Sequence, residues 1–270
     1  MPVRLGRALS LTLLVLASSA SLAAAAEISP HRALYSMSLQ SAKANSGVVA
    51  ATGAMTYEWG ETCDGWTIVQ RFRLNMQYSE QDPVDLTSSL VTWESKDGVR
   101  YRFNERRARN GEVDEDIKGD ATLASDGQGG TARFTKPEPS EVQLPPGTLF
   151  PTAHTLLLID HGLAGENFIV RNVFDGASVD NASQVTAVMA EKEGEAATAS
   201  TKIDSPLLKR PSWRTRLAFF PADSKADHPD YELGMRLLDN GVSSEMSLDY
   251  GDYAIRAKLD KIEALPKPNC

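Results

Sequence analysis

The stretch that decides the fold runs from Leu144 to Glu166, LPPGTLFPTAHTLLLIDHGLAGE. Pro145, Pro146 and Gly147 break the chain, and Pro151 suits a first helical turn, where a missing N–H costs little. Gly162 and Gly165 read as stop signals, because glycine tolerates a left-handed C-terminal position. Leu156, Leu157, Leu158 and Ile159 are apolar on more than one face, which predicts a largely buried helix over about 150–163. His154, Leu158 and His161 fall at i, i+4 and i+7, so both imidazoles share one stripe.

Outside this segment the chain alternates like strands. Val49, Ala51, Met55, Tyr57 and Trp59 recur at odd positions; Trp66, Ile68, Phe72, Leu74, Met76 and Tyr78 recur at even ones. Asp97-Gly98, Asn110-Gly111, Asp175-Gly176 and Asn240-Gly241 are hairpin turn signals. The prolines from Pro137 to Pro146 read as a linker, and Glu191 to Thr198 as a surface loop. About a dozen strands joined by short turns predict an antiparallel β-spiral or incomplete barrel, mainly β, wrapped around one central helix, which hides the sheet edges. No fixed-period repeat supports a propeller.

The N-terminus carries Arg4 and Arg7, an apolar run from Leu9 to Leu22, then small residues to Ala26. This pattern predicts a secretory signal peptide over 1–26, cleaved near Ala26, and a single domain over 27–270 in the periplasm. Losing the two arginines takes the net charge from −8 to −10, a poor balance for nucleic acid or an anionic membrane. Arg100, Arg102, Arg106, Arg107 and Arg109 interleave with Tyr101 and Phe103 and resemble a nucleic-acid patch. A two-residue turn at Asn110-Gly111 would oppose Arg109 to Glu112, Arg107 to Asp114 and Arg106 to Glu115, neutralising the run.

Cys63 and Cys270 are the two cysteines of the chain. In an oxidising compartment two such thiols usually pair, and the chain-entropy model gives roughly 5 kcal/mol for so long a loop.

Walker A, GxSxG, HExxH and CxxC patterns are absent. The best chemical constellation is His154, Asp160 and His161, but a spacing of seven puts the histidines roughly 10 Å apart along the axis, too far for one ion without further ligands. They read as structural residues that bond neighbouring loops or strands, with a hydrolase built on His154 and Asp160 as a minor alternative. Asp114, Glu115, Asp116 and Asp120 lack the alternation of a calcium loop. Neither a metal nor another cofactor is expected. Trp66, Trp93, Tyr101 and Trp213 are the aromatic candidates for paving a groove.

With these residues assembled, the chain resembles the cell envelope integrity protein B (EipB-like) family. The resemblance rests on GTLFPTAHTLLLIDHGLAGE at 147–166, DYELGMRLLDNGVSSEMSLDYGDYAIRAKLDKIEALP at 230–266, and the Cys63 and Cys270 pair. It implies an exported β-spiral with an internal disulfide that supports envelope stability without known enzymatic activity, and no catalytic residues to carry over. The expected partner is another periplasmic envelope protein or envelope component, with a lipid or peptidoglycan-related ligand as a candidate. The alternative is a carrier or sensor of a hydrophobic lipid or peptide held in the spiral groove.

Overall fold

The computed structural model describes residues 27–195, 203–221 and 226–270. The expected signal peptide and the end of the expected loop after Glu195 lie outside them.

Among the described residues fourteen strands follow in chain order: β1 (His31–Ala42), β2 (Val48–Glu61), β3 (Gly65–Tyr78), β4 (Val84–Ser95), β5 (Arg100–Arg109), β6 (Glu112–Leu123), β7 (Gly130–Lys136) and β8 (Ser140–Leu144), then β9 (Phe168–Val173), β10 (Ser183–Met189), β11 (Ser212–Phe220), β12 (Tyr231–Leu238), β13 (Ser243–Asp249) and β14 (Tyr253–Ala264). The helix α1 (Pro151–Ala164) lies between β8 and β9. All fourteen strands form one sheet in the order β8-β7-β6-β5-β4-β3-β2-β1-β14-β13-β12-β11-β10-β9. Two meanders, β1 to β8 and β9 to β14, are therefore stitched together where β1 meets β14, antiparallel from His31↔Ala264 to Ala42↔Tyr253. The two edge strands, β8 and β9, are the ones α1 connects.

Alternation sets which face is covered. In β5, Tyr101, Phe103 and Glu105 are buried while Arg100, Arg102 and Asn104 are exposed, as a period of two requires. In β1 the same rhythm buries His31, Ala33, Tyr35 and Met37. The helix contributes Leu158 and Ile159 to an apolar cluster that also holds Trp59 of β2, Met189 of β10, Trp213 of β11 and Leu237 of β12. Fully burying two such side chains contributes about 1.5–3 kcal/mol each. A second cluster joins Tyr101, Phe103 and Phe134 to Phe150 and Phe174, on either side of the two sheet edges. Between them, the Leu149 N–H donates to the Asn172 carbonyl at 2.8 Å and the Phe174 N–H to the Leu149 carbonyl at 3.0 Å, so the segment entering α1 runs beside β9.

Three local readings need correction. The proline segment from Pro137 to Pro146 contains β8, which pairs with β7 from Phe134↔Ser140 to Gly130↔Leu144. The hairpin at Asn110-Gly111 forms, with left-handed φ values of 52° and 85°, but a bulge between Arg107 and Ala108 shifts the register to Arg107↔Glu115 and Arg106↔Asp116. Gly162 lies inside α1 and does not end it. A Cβ there would come within 2.7 Å of Trp213 Cε2, so glycine permits close packing. Gly165, at φ 79°, terminates the helix.

Candidate functional site

The N-terminus of α1 has no side-chain cap at Phe150. Its orphan donors are satisfied from β4: Glu94 Oε2 accepts the Thr152 N–H at 2.7 Å and Oε1 accepts the Ala153 N–H at 2.8 Å. A carboxylate fits the positive end of a helix, where the first backbone N–H groups point outward. Burial nevertheless pushes the Glu94 carboxyl up to about 7, against the pull of those two N–H groups. Sequence reading missed this residue; the available signal was a glutamate at an inward position of β4, between Thr92 and Ser95.

The next residue along α1, His154, is buried, and its Nε2 has no hydrogen-bond partner among the described residues. Burial, aided by the charge of Arg171, lowers it to about 4, so it is neutral at physiological pH. This departs from the expectation of a histidine bonded to a neighbouring loop. His161 instead approaches the carboxylate of Glu166 just beyond the helix, and Asp160 is exposed. The helix thus separates the imidazole of His154 from Asp160, one inside and one at the surface. Among the described residues no group of three or more His, Cys, Asp or Glu is arranged to hold a metal ion.

The aromatic candidates go to four different settings. Trp213 is buried against α1, and Tyr101 is buried in a stack with Phe150 at 4.8 Å between ring centroids, its hydroxyl donating to the Asp175 carbonyl at 2.9 Å. Trp66 is half-buried beside the helix cluster, with Lys96 Nζ 5.4 Å from its ring centroid. Trp93 lies on the outer face of β4. Its ring centroid is 5.3 Å from the Arg100 Cζ and 5.1 Å from the Arg102 Cζ, within cation–π range. The indole crosses Gly65, where a Cβ would come within 2.6 Å of Nε1.

Trp93 borders a groove of about 640 Å³ running across β3 to β7, with Arg100, Arg102, Asn104, Lys118 and Asp120 along it. Cross-strand pairing builds it row by row: Thr67↔Trp93, Trp93↔Arg102 and Arg102↔Asp120 are neighbours in register. Arg107 pairs with Glu115, and Arg109 with Asp114 at 3.2 Å, while Asp116, which faces Arg106 in register, bonds Lys136 at 2.8 Å. The expected neutralisation therefore covers only the hairpin end. Cys63, in the β2–β3 turn, is bonded to Cys270 with the Cα atoms 5.8 Å apart.

One antiparallel sheet whose two edge strands are joined through a helix defines a barrel-like β protein. The chain belongs to the EipB-like family, whose sequence model matches residues 22–266. It is 32% identical over 249 residues to the cell envelope integrity protein EipB of Brucella abortus (strain 2308), covering 92% of this chain and 88% of that protein. A crystal structure of a β-barrel-like protein of a domain of unknown function from Brucella abortus superposes with a TM-score of 0.82 at 30% identity, covering 90% of this chain and all of the other.

Proposed function

We propose that the protein is a non-enzymatic periplasmic factor that maintains cell-envelope integrity by binding another envelope protein or an envelope component, using the sheet coiled around α1 as a rigid frame. The observation that carries this reading is the likeness to a cell envelope integrity protein across 92% of the chain. The distribution of polar groups supports it. Glu94 caps α1 and His154 is buried within it, whereas the groove beside Trp93 is open to a partner. Deleting the gene and challenging cells with detergent tests the role: sensitivity restored by the wild-type gene is expected, and a deletion strain as resistant as the parent refutes it.

A second reading, a carrier of a hydrophobic ligand, is favoured by Phe72, Leu233 and Met235. These side chains sit at the inward positions of β3 and β12, beside the apolar clusters, and remain only partly buried. Native mass spectrometry of gently purified protein should then reveal a co-purifying lipid or apolar peptide; a spectrum of bare protein dismisses this reading.

A further inference from the structure

We infer that the groove across the outer face of β3 to β7 binds an anionic saccharide chain of the envelope; this rests on the envelope-binding reading above and names the component.

The first support is charge. The protein as a whole is acidic, with a net charge of −8, yet among the described residues Arg100, Arg102 and Lys118 form no ion pair. Neighbouring cations on the same half of the sheet do: Arg73 pairs with Asp85 at 3.1 Å, Arg133 with Glu141 at 2.8 Å, and Lys136 with Asp116 at 2.8 Å. The row beyond adds Arg71 and Arg106, which oppose Ser89 from either side in register and likewise form no ion pair among the described residues. Five cations without an ion pair among the described residues, against Asp97 near Arg100, Asp120 opposite Arg102 and Asp116 opposite Arg106, leave this face of an acidic molecule with a local excess of positive charge that attracts anions.

The second support is the kind of polar group between the cations. Asn104 and Asp120 supply amide and carboxylate acceptors in the same groove, and Thr67, Thr122 and Thr135 supply hydroxyls. An acidic polypeptide or a phospholipid surface gains nothing from Asp120. A sugar chain does, because its hydroxyls donate to carboxylate and amide oxygens while its carboxylates or phosphates accept the forked guanidinium donors. Trp93, with Arg100 and Arg102 against its ring, holds the two guanidinium groups at the groove and adds apolar surface beside which a pyranose ring can lie. A groove of about 640 Å³ is within the range of small-ligand sites.

The carboxylate and phosphate sources are separated by two probes: soluble peptidoglycan fragments released by muramidase, and the delipidated phosphorylated core oligosaccharide of lipopolysaccharide. Calorimetric titration of the full mature protein should show saturable binding of one of them that weakens with added salt. Arg100→Ala combined with Arg102→Ala should lower its affinity at least about tenfold, and Trp93→Ala should lower it as well. Both changes lie on the outer face, so melting curves close to wild type are expected and show that lost binding is not unfolding. Oligoglutamate or anionic phospholipid vesicles binding as tightly as either saccharide overturns the inference, as does no saturable binding of either saccharide, or binding unchanged in the double variant. The deletion strain in the detergent assay keeps the two readings apart. Wild-type saccharide binding in a protein whose deletion leaves cells resistant refutes only the envelope role; detergent sensitivity on deletion without saccharide binding refutes only the assigned ligand.

Discussion

At the scale of single residues, Glu94 and His154 form an opposed pair at the start of α1. Glu94 is raised from 4.5 to about 7 in the folded protein. The folded state therefore holds a proton that the unfolded state releases above 4.5, and stability contributed by Glu94 falls as pH rises from 4.5 to 7. His154 is lowered from 6.5 to about 4. The unfolded state takes the extra proton here, so its contribution falls as pH drops from 6.5 to 4. Each shift corresponds to on the order of 3 kcal/mol at full extent, and between pH 4.5 and 6.5 the two slopes cancel. Relative to wild type, Glu94→Gln should gain about 2 kcal/mol of stability between pH 5 and pH 7, and His154→Gln should lose about as much over the same interval. Urea unfolding at the two pH values reads the difference; slopes of the same sign in both variants would disprove the pairing. Gly162 is a second residue-scale test. Alanine gains about 1 kcal/mol in helix propensity, but its Cβ would press on buried Trp213, a crowding that costs typically 1–3 kcal/mol. Lower thermal stability for Gly162→Ala is expected, and a higher melting temperature would mean that Trp213 moves aside freely.

At the scale of elements, α1 is the segment that the sequence described best. The Pro151 start, the Gly165 end and the buried Leu158 and Ile159 all follow from local patterning, and the structure runs Pro151–Ala164. Its N-terminal cap was illegible because the partner, Glu94, comes from a strand 58 residues away from Thr152, beyond any local rule. The arginine run of β5 is a similar case. The Asn110-Gly111 turn is local and legible, whereas the bulge between Arg107 and Ala108 is a feature of the β5–β6 pairing with no local signal, so that of the three expected arginine pairs Arg107 and Arg109 alone find carboxylates among the described residues. β8 carries little local signal since prolines flank an edge strand paired, among the described residues, with β7 alone, a place where proline is tolerated. The weight of α1 in the fold can be measured: Leu158→Ala should cost about 2–5 kcal/mol, the usual range for deleting a buried leucine side chain. A loss under about 1 kcal/mol, within the range of surface substitutions, would show that the helix is loosely attached.

At the scale of the whole molecule, the Cys63–Cys270 bond links the β2–β3 turn to the tail after β14 across a sequence separation of 207. Reduction, or Cys63→Ser, should lower unfolding free energy by up to about 5 kcal/mol on the chain-entropy argument, with the fold otherwise retained because the sheet needs no covalent help to pair. Chemical denaturation with and without reductant measures it, and equal midpoints would show that the bond leaves the unfolded ensemble unconstrained.

The sheet order carries one more consequence, for the time course of synthesis. β1, made before every other strand, sits in the interior of the sheet, and one of its two neighbours is β14, made after all of them. A ribosome delivering the chain thus leaves the β1 ladder half-open until nearly everything else has appeared, and an open ladder invites pairing with other chains. Such a nascent chain needs shielding, and a copy interrupted before Tyr253 would carry sticky margins on β1 and β13. Chains ending there should sediment as aggregates, while complete chains stay dispersed.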